Sequence, residues 1–190
     1  MGSGGKIPDD APLLLSLGRL HHAKAFDTLI KVVAKMSGVY LWIAGEGPLR
    51  EELEDLIQKL NVQDRVILLG WRSDRAALFQ ASDICVFPSR YEPFGTVFVQ
   101  AWAQETPLVT TASDGPRQFV RHEDDCLLVD IDHEEQMRAA IDRLIKDKDL
   151  SEKLVRNGKE RYLNEFTKEK TLEAYKAYFQ DMRKAQDLET

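Results

Sequence analysis

The sequence predicts an α/β protein, a doubly wound parallel sheet of about six strands with helices on both faces and further helices at its C-terminal end. Two observations predict it. Runs of three to five residues, apolar on both faces of an extended chain, recur along the first two thirds of the sequence. Strands covered on both sides read this way. Amphipathic stretches of helical period separate the runs, and such alternation implies right-handed βαβ units.

The elements follow in order. The strands are expected at Leu13–Leu17, Tyr40–Ala44, Arg65–Leu69, Ile84–Phe87, Leu108–Thr110 and Cys126–Val129. Phe26, Leu29, Ile30 and Val33 form the apolar stripe of a first helix, and Leu49, Leu53, Leu56, Ile57 and Leu60 that of a second. Phe98 and Trp102 stand one turn apart in another. Met137, Ile141, Leu144 and Ile145 continue the pattern after the last strand. These elements make a Rossmann-like unit over residues 7–148. Two helices then follow, near 151–164 and 168–185. The last carries Leu172, Tyr175, Phe179 and Met182 at helical spacing, and Tyr175, Tyr178 and Phe179 are expected to dock it.

Composition narrows the class. The chain has 190 residues, 43% of them hydrophobic, enough for one domain with a real core. Chains of this length bury roughly 70% of their unfolded surface, so neither disulfide nor metal is needed to fold. A net charge of −6 argues against a nucleic-acid partner. No apolar run approaches the length of a membrane span. Cys85 and Cys126 lie within apolar runs and read as buried, reduced thiols. No Cys/His spacing resembles a zinc site. Residues 1–6, opening Met-Gly-Ser-Gly-Gly, read as an expression scar. Residues 7–190 are expected to form a single domain taken from a longer protein.

The glycines point to one edge of the sheet. Gly18, Gly45, Gly47, Gly70, Gly95 and Gly115 each follow a predicted strand or lie in the loop leaving it. Open α/β sheets bind ligands there, outside the carboxyl ends of the strands. The dinucleotide fingerprint fails, because Gly45-Glu-Gly47 continues to Arg50 where a third glycine belongs, and a Walker A loop is absent. Arg19 and Lys24 stand by the first turn and are suited to a diphosphate, one as a fork and one as a point charge. Spacing alone also fits two surface cations.

The most informative stretch is Pro88-Ser-Arg-Tyr-Glu-Pro-Phe-Gly-Thr-Val-Phe-Val-Gln-Ala-Trp-Ala103. A loop holding Glu92 and Gly95 leads into a helix near Thr96, whose N-terminal N–H groups suit an anion. Gln100, one turn further, is within reach of a sugar hydroxyl. His21 and His22 in the first loop read as solvated.

These segments resemble the donor-binding, C-terminal domain of the family-4 (group 1) retaining glycosyltransferases of GT-B fold. The resemblance rests on Gly18-Arg-Leu with Lys24, Ala44-Gly-Glu-Gly-Pro48, Asp64-Arg-Val with Leu69-Gly70, and Pro88-Ser-Arg-Tyr-Glu-Pro-Phe-Gly95. It implies that Arg19 and Lys24 bind the donor diphosphate and stabilise the leaving nucleotide, and that Glu92 holds the transferred sugar. It places Gly18 and the backbone of Phe94, Gly95, Thr96 and Val97 against phosphate and sugar, with Gln100 beside ribose. The base falls against Gly70, Trp71 and Arg72. It implies no metal and no cofactor, a UDP-, GDP- or ADP-linked sugar as partner, and an acceptor domain outside this chain. A membrane contact would come only through that domain, at the cytosolic face of a membrane; the domain itself is expected in the cytoplasm.

Three positions depart from the family pattern. Gln100 stands for the second glutamate of the Glu-x7-Glu motif, Ala25 for a glycine after the lysine, and Gln118 for a glutamate after the fifth strand. An amide offers one acceptor oxygen where a carboxylate offers two, so weaker donor binding is expected. Two other readings stay open: a non-catalytic module with a decayed donor site, and another GT-B enzyme such as a sugar-nucleotide epimerase.

Overall fold

Six short strands that bury both faces can only lie in the middle of a layered domain. They do so in the computed structural model, which describes residues 7–187. The strands are β1 (Leu13–Leu17), β2 (Tyr40–Ala44), β3 (Val66–Gly70), β4 (Ile84–Phe87), β5 (Leu108–Thr111) and β6 (Leu127–Val129). The helices are α1 (Phe26–Ala34), α2 (Arg50–Lys59), α3 (Arg75–Gln80), α4 (Thr96–Ala103), α5 (Pro116–Phe119), α6 (Glu134–Lys146), α7 (Lys148–Arg161) and α8 (Lys168–Asp187). A 3₁₀ turn covers His22–Lys24 and a π turn covers Tyr162–Phe166.

All strand pairs are parallel, in the order β3-β2-β1-β4-β5-β6. The expected Rossmann-like fold is therefore present. Alternate residues of β1 split its burial between two cores. Leu14 joins α1, α2 and α6, whereas Leu15 and Leu17 join Leu78 and Phe79 of α3 and Phe98 and Trp102 of α4. Ser16, buried between them, donates its hydroxyl to the Val86 carbonyl at 2.6 Å. This closes its hydrogen-bonding need in the dry centre of the sheet.

The expected strands hold to within a residue. Just before β3, the Arg65 guanidinium reaches back, donating to the carbonyls of Val33, Met36 and Val39 at 3.3, 2.8 and 2.9 Å. It thereby caps the C-terminal end of α1 and the turn after it. α7 starts at Lys148 because Asp147 accepts from the Leu150 N–H at 3.0 Å as its N-cap. It begins in the first core with Leu150 and Leu154, and its Gly158 ends against the Trp102 ring of the second.

One expectation fails. Tyr175, Tyr178 and Phe179 do not dock α8; they stand 60%, 60% and 58% exposed, with Leu172 and Met182 exposed on the same helix. α8 makes its main contacts with the body through the π turn at its start, and its apolar stripe stays exposed. α3 and α5, six and four residues long, had not been foreseen.

Gly45 tests how tightly the strand ends are packed. A Cβ there would sit 1.8 Å from the Gly18 carbonyl oxygen. That neighbour is backbone immediately after β1 and cannot swing aside. Gly45→Ala is expected to lower unfolding stability by about 3 kcal/mol or more, read as the urea midpoint by circular dichroism. A midpoint within error of the wild type would show that the two strand ends are free to separate.

Candidate functional site

The strand order reverses between β1 and β4, so the connections leaving these neighbours turn to opposite faces and a crevice opens between them. A cleft of about 490 Å³ lies there, lined by Leu17, Gly18, Arg19, Lys24, Ala44, Gly45, Glu46, Trp71, Arg72, Arg75, Glu92, Thr96 and Val97. Lys24 ends the 3₁₀ turn after β1, and Glu92 sits in the loop after β4. Their side chains form an ion pair, 21% and 15% exposed. The Lys24 Nζ also lies 5.3 Å from the centre of the Phe87 ring. Arg19 is exposed and makes no ion pair among the described residues. Gly95, at φ +97°, turns the chain into α4, whose first turn no side chain caps. Thr96 and Val97 thus present a positive helix end to the cleft.

The other end of the cleft is flatter. Trp71 stands 70% exposed, with the Arg75 guanidinium 5.6 Å from its ring centre. Arg72 pairs with Asp74, and Glu46 pairs with Arg50 at 2.9 Å.

Behind the working face, Arg90 ties the loops together. Its Nε donates to Asp132 Oδ2 at 2.7 Å. Its Nη1 donates to the His22 carbonyl at 2.9 Å and to Asp27 Oδ1 at 2.8 Å. Its Nη2 donates to Asp27 Oδ2 at 2.8 Å and to Thr28 Oγ1 at 3.0 Å. Thr28 in turn donates to Asp132 Oδ1 at 2.7 Å. Burial pushes the Asp27 carboxyl up, but the hydrogen bonds and charge of Arg90, with Lys31, hold it below its ordinary value. Asp132 is held low in the same way by Arg90 and Thr28. The Asp27 and Asp132 carboxylates raise the Arg90 guanidinium further above its already high value.

Of the residues expected at the site, Gly18, Arg19, Lys24, Glu92, Trp71, Arg72, Thr96 and Val97 line one cleft. Gly70, Phe94, Gly95 and Gln100 do not line it. Gly70 ends β3 and Gly95 is the buried hinge before α4. Phe94 packs its ring on Phe119, 5.0 Å between centres, and on Phe98 at 5.4 Å. The Gln100 Oε1 is buried with no hydrogen-bond partner. Gln118 donates to the Asp114 carbonyl at 2.7 Å. Ala25 is fully buried at φ +50°, a left-handed conformation that glycine adopts more readily than alanine. His21 accepts from the Ala23 N–H and stabilises the turn carrying Lys24. Glu46 and Arg75 were missed. Glu46 was visible inside the Gly45–Pro48 turn, whereas Arg75 sits on a helix too short to leave a periodic signal. Among the described residues, no three His, Cys, Asp or Glu side chains gather as a metal site, and no helix is long and apolar enough to cross a membrane.

Fold and cleft together define a Rossmann-like domain, a parallel sheet whose switch point carries a lysine, three arginines and an uncapped helix end. The sequence profile of the glycosyl transferases group 1 matches residues 3–161. The chain belongs to that family. It is 40% identical over 168 residues to the lipopolysaccharide core biosynthesis glycosyltransferase LpsE of Rhizobium meliloti (strain 1021), covering 88% of this chain and 49% of that protein. It superposes on the sucrose-phosphate synthase of Thermosynechococcus elongatus with a TM-score of 0.85 at 32% identity, over 93% of this chain and 47% of that one. The HepE protein of Anabaena, solved in complex with UDP, shares the fold, with a TM-score of 0.82 and 23% identity over 89% of this chain and 49% of that one. The chain spans about half the length of the curated relatives it matches.

The Arg90 cluster sets an acid limit. Carboxyls held low in the folded state contribute stability that is complete above their unfolded values and is lost as pH falls through the folded ones. The urea midpoint is therefore expected to drop as pH falls below about 4. Asp27→Asn should be less stable than the wild type at pH 7, and the gap should narrow as pH falls through the folded-state value of Asp27. Parallel curves would show that the cluster contributes nothing to folding.

Proposed function

We propose that this chain is the donor-binding half of a metal-independent, retaining glycosyltransferase that takes a UDP-, GDP- or ADP-linked sugar. The observation that carries the reading is the Lys24–Glu92 pair in the switch-point cleft, flanked by the free Arg19 and the open end of α4. In this reading Arg19, Lys24 and the N–H groups of Thr96 and Val97 meet the diphosphate. Glu92 accepts hydrogen bonds from sugar hydroxyls. Trp71 and Arg72 lie against the base. Transfer breaks the bond between the anomeric carbon and the diphosphate oxygen, and negative charge grows on the departing nucleotide. Cations and dipoles already fixed at that spot stabilise the charge without reorganising. The acceptor half belongs to the rest of a relative-length polypeptide, and the isolated chain binds without efficient transfer. The likeness to LpsE, a lipopolysaccharide core biosynthesis glycosyltransferase, supports a role in glycan assembly.

Gln100 favours a second reading, a module that has lost its donor site. An amide replaces the motif carboxylate, and its oxygen is buried without a partner instead of lining the cleft. The retained Arg19, Lys24 and Glu92 weigh against it.

Calorimetric titration with UDP, GDP and ADP separates the two. One nucleotide is expected to bind, and Arg19→Ala and Lys24→Ala should each weaken it by roughly tenfold to a hundredfold, the value of a charge-assisted hydrogen bond. Glu92→Gln removes the competitor for Lys24. It should leave the bare nucleotide equally or more tightly bound while weakening the sugar-linked form relative to it. A folded chain that binds none of the three overturns the reading.

A further inference from the structure

We infer that Arg90 is a positioning residue, holding the Lys24 turn and the Glu92 loop at the separation the donor needs; this rests on the proposed donor site. A guanidinium has five N–H donors, and all five of Arg90 are engaged within the protein, by Asp132, His22, Thr28 and twice by Asp27. None is left for a ligand, and Arg90 does not line the cleft. Its effect on the site therefore runs through its neighbours.

Those neighbours are well placed for it. The fork grips the carbonyl of His22, two residues before Lys24, and Arg90 itself stands two residues before Glu92. The backbone N–H groups of Arg90 and Tyr91 both donate to the Ala23 carbonyl, at 2.9 and 3.2 Å. One side chain and two amides thus join the two loops directly beside their working residues. The far side of the fork reaches α1 through Asp27 and Thr28, and the segment before α6 through Asp132.

A second observation shows that this geometry is enforced. Asp132 adopts φ +56°, a left-handed conformation that costs a residue with a side chain, and it presents its carboxylate to Arg90 and Thr28. Two carboxylates, Asp27 and Asp132, also converge on one point, which only a cation between them makes tolerable. Lysine would keep the charge there but not the planar fork.

The test separates positioning from mere stabilisation. Arg90→Lys, Lys24→Ala and the double variant are titrated with the nucleoside diphosphate that the wild type prefers, at a temperature where circular dichroism shows every protein folded. If Arg90 acts through Lys24, Arg90→Lys weakens binding by about tenfold and the double variant is no weaker than Lys24→Ala alone, since residues in one network are not additive. Where Arg90→Lys does not fold, Asp132→Ala, which removes one acceptor of the fork, should show the same non-additivity with a loss of about threefold. Wild-type affinity in a folded Arg90→Lys chain, or losses that simply add to those of Lys24→Ala, would overturn the positioning role alone. A wild type that binds no nucleoside diphosphate overturns the donor-site reading and this inference with it.

Discussion

The reversal of strand order between β1 and β4 is the constraint on which the rest of the molecule depends. Both strands are central and wholly buried, so each must hand its chain to a helix packed on one face or the other. The helix after β1 lies in the first core and the helix after β4 in the second. Their leading loops must diverge before they can cross the sheet edge. The space between them is the cleft, and the groups nearest to it are whatever the sequence puts just after the two strands. Arg19 and Lys24 follow one, and Glu92 with the start of α4 follows the other.

Divergence also needs a restraint. Loops that leave in opposite directions have few contacts with each other, and a site made from both would be loose. The Ala23 carbonyl, shared by two amides of the second loop, and the Arg90 fork supply the missing contacts. The Lys24–Glu92 pair spans the same gap on the working side. The pair is largely shielded from water, and it fixes the mutual orientation of the two side chains that the proposed donor site uses.

The sheet was legible in the sequence because burial on both faces leaves unbroken apolar runs, and the helices of nine or more residues because they carry full stripes. α3 escaped because six residues cannot establish a period, and Arg75 went unnoticed with it. The glycines were legible as an edge but not in their cause. Gly45, Gly47 and Gly115 are required because a Cβ would strike the backbone oxygens of Gly18, Leu20 and Phe94 at 1.8, 2.4 and 2.4 Å. Close packing between loops, not a ligand, explains them. The cleft residues were legible through the family motif. The Arg90 cluster was not, because its partners lie 42 to 68 residues away along the chain. The stripe on α8 shows the converse limit: a periodic pattern tells that a helix has an apolar face and is silent on what covers it.

Charge decides how such a site works in an acidic protein. The whole chain carries −6, which taken alone would repel a nucleoside diphosphate. The cleft is the local exception, with Arg19, Lys24, Arg72 and Arg75 against Glu46 and Glu92. At ordinary ionic strength charges beyond about 10 Å are largely screened, so an approaching anion responds to the cleft and not to the acidic remainder. Within it the cations are not equivalent. Arg72 is already engaged by Asp74 and Lys24 by Glu92, while Arg19 is exposed and unpaired among the described residues. In the proposed donor site Arg19 is therefore the group that would meet an incoming diphosphate without first breaking a bond. Lys24 contributes only the difference between its new partner and its old one. That difference grows when negative charge concentrates on a departing diphosphate, because Glu92 keeps a fixed charge while the leaving group gains one. In the proposed mechanism a lysine held by a carboxylate in this way would discriminate between a bound donor and a breaking one, which is the condition for stabilising a transition state more than the ground state before it.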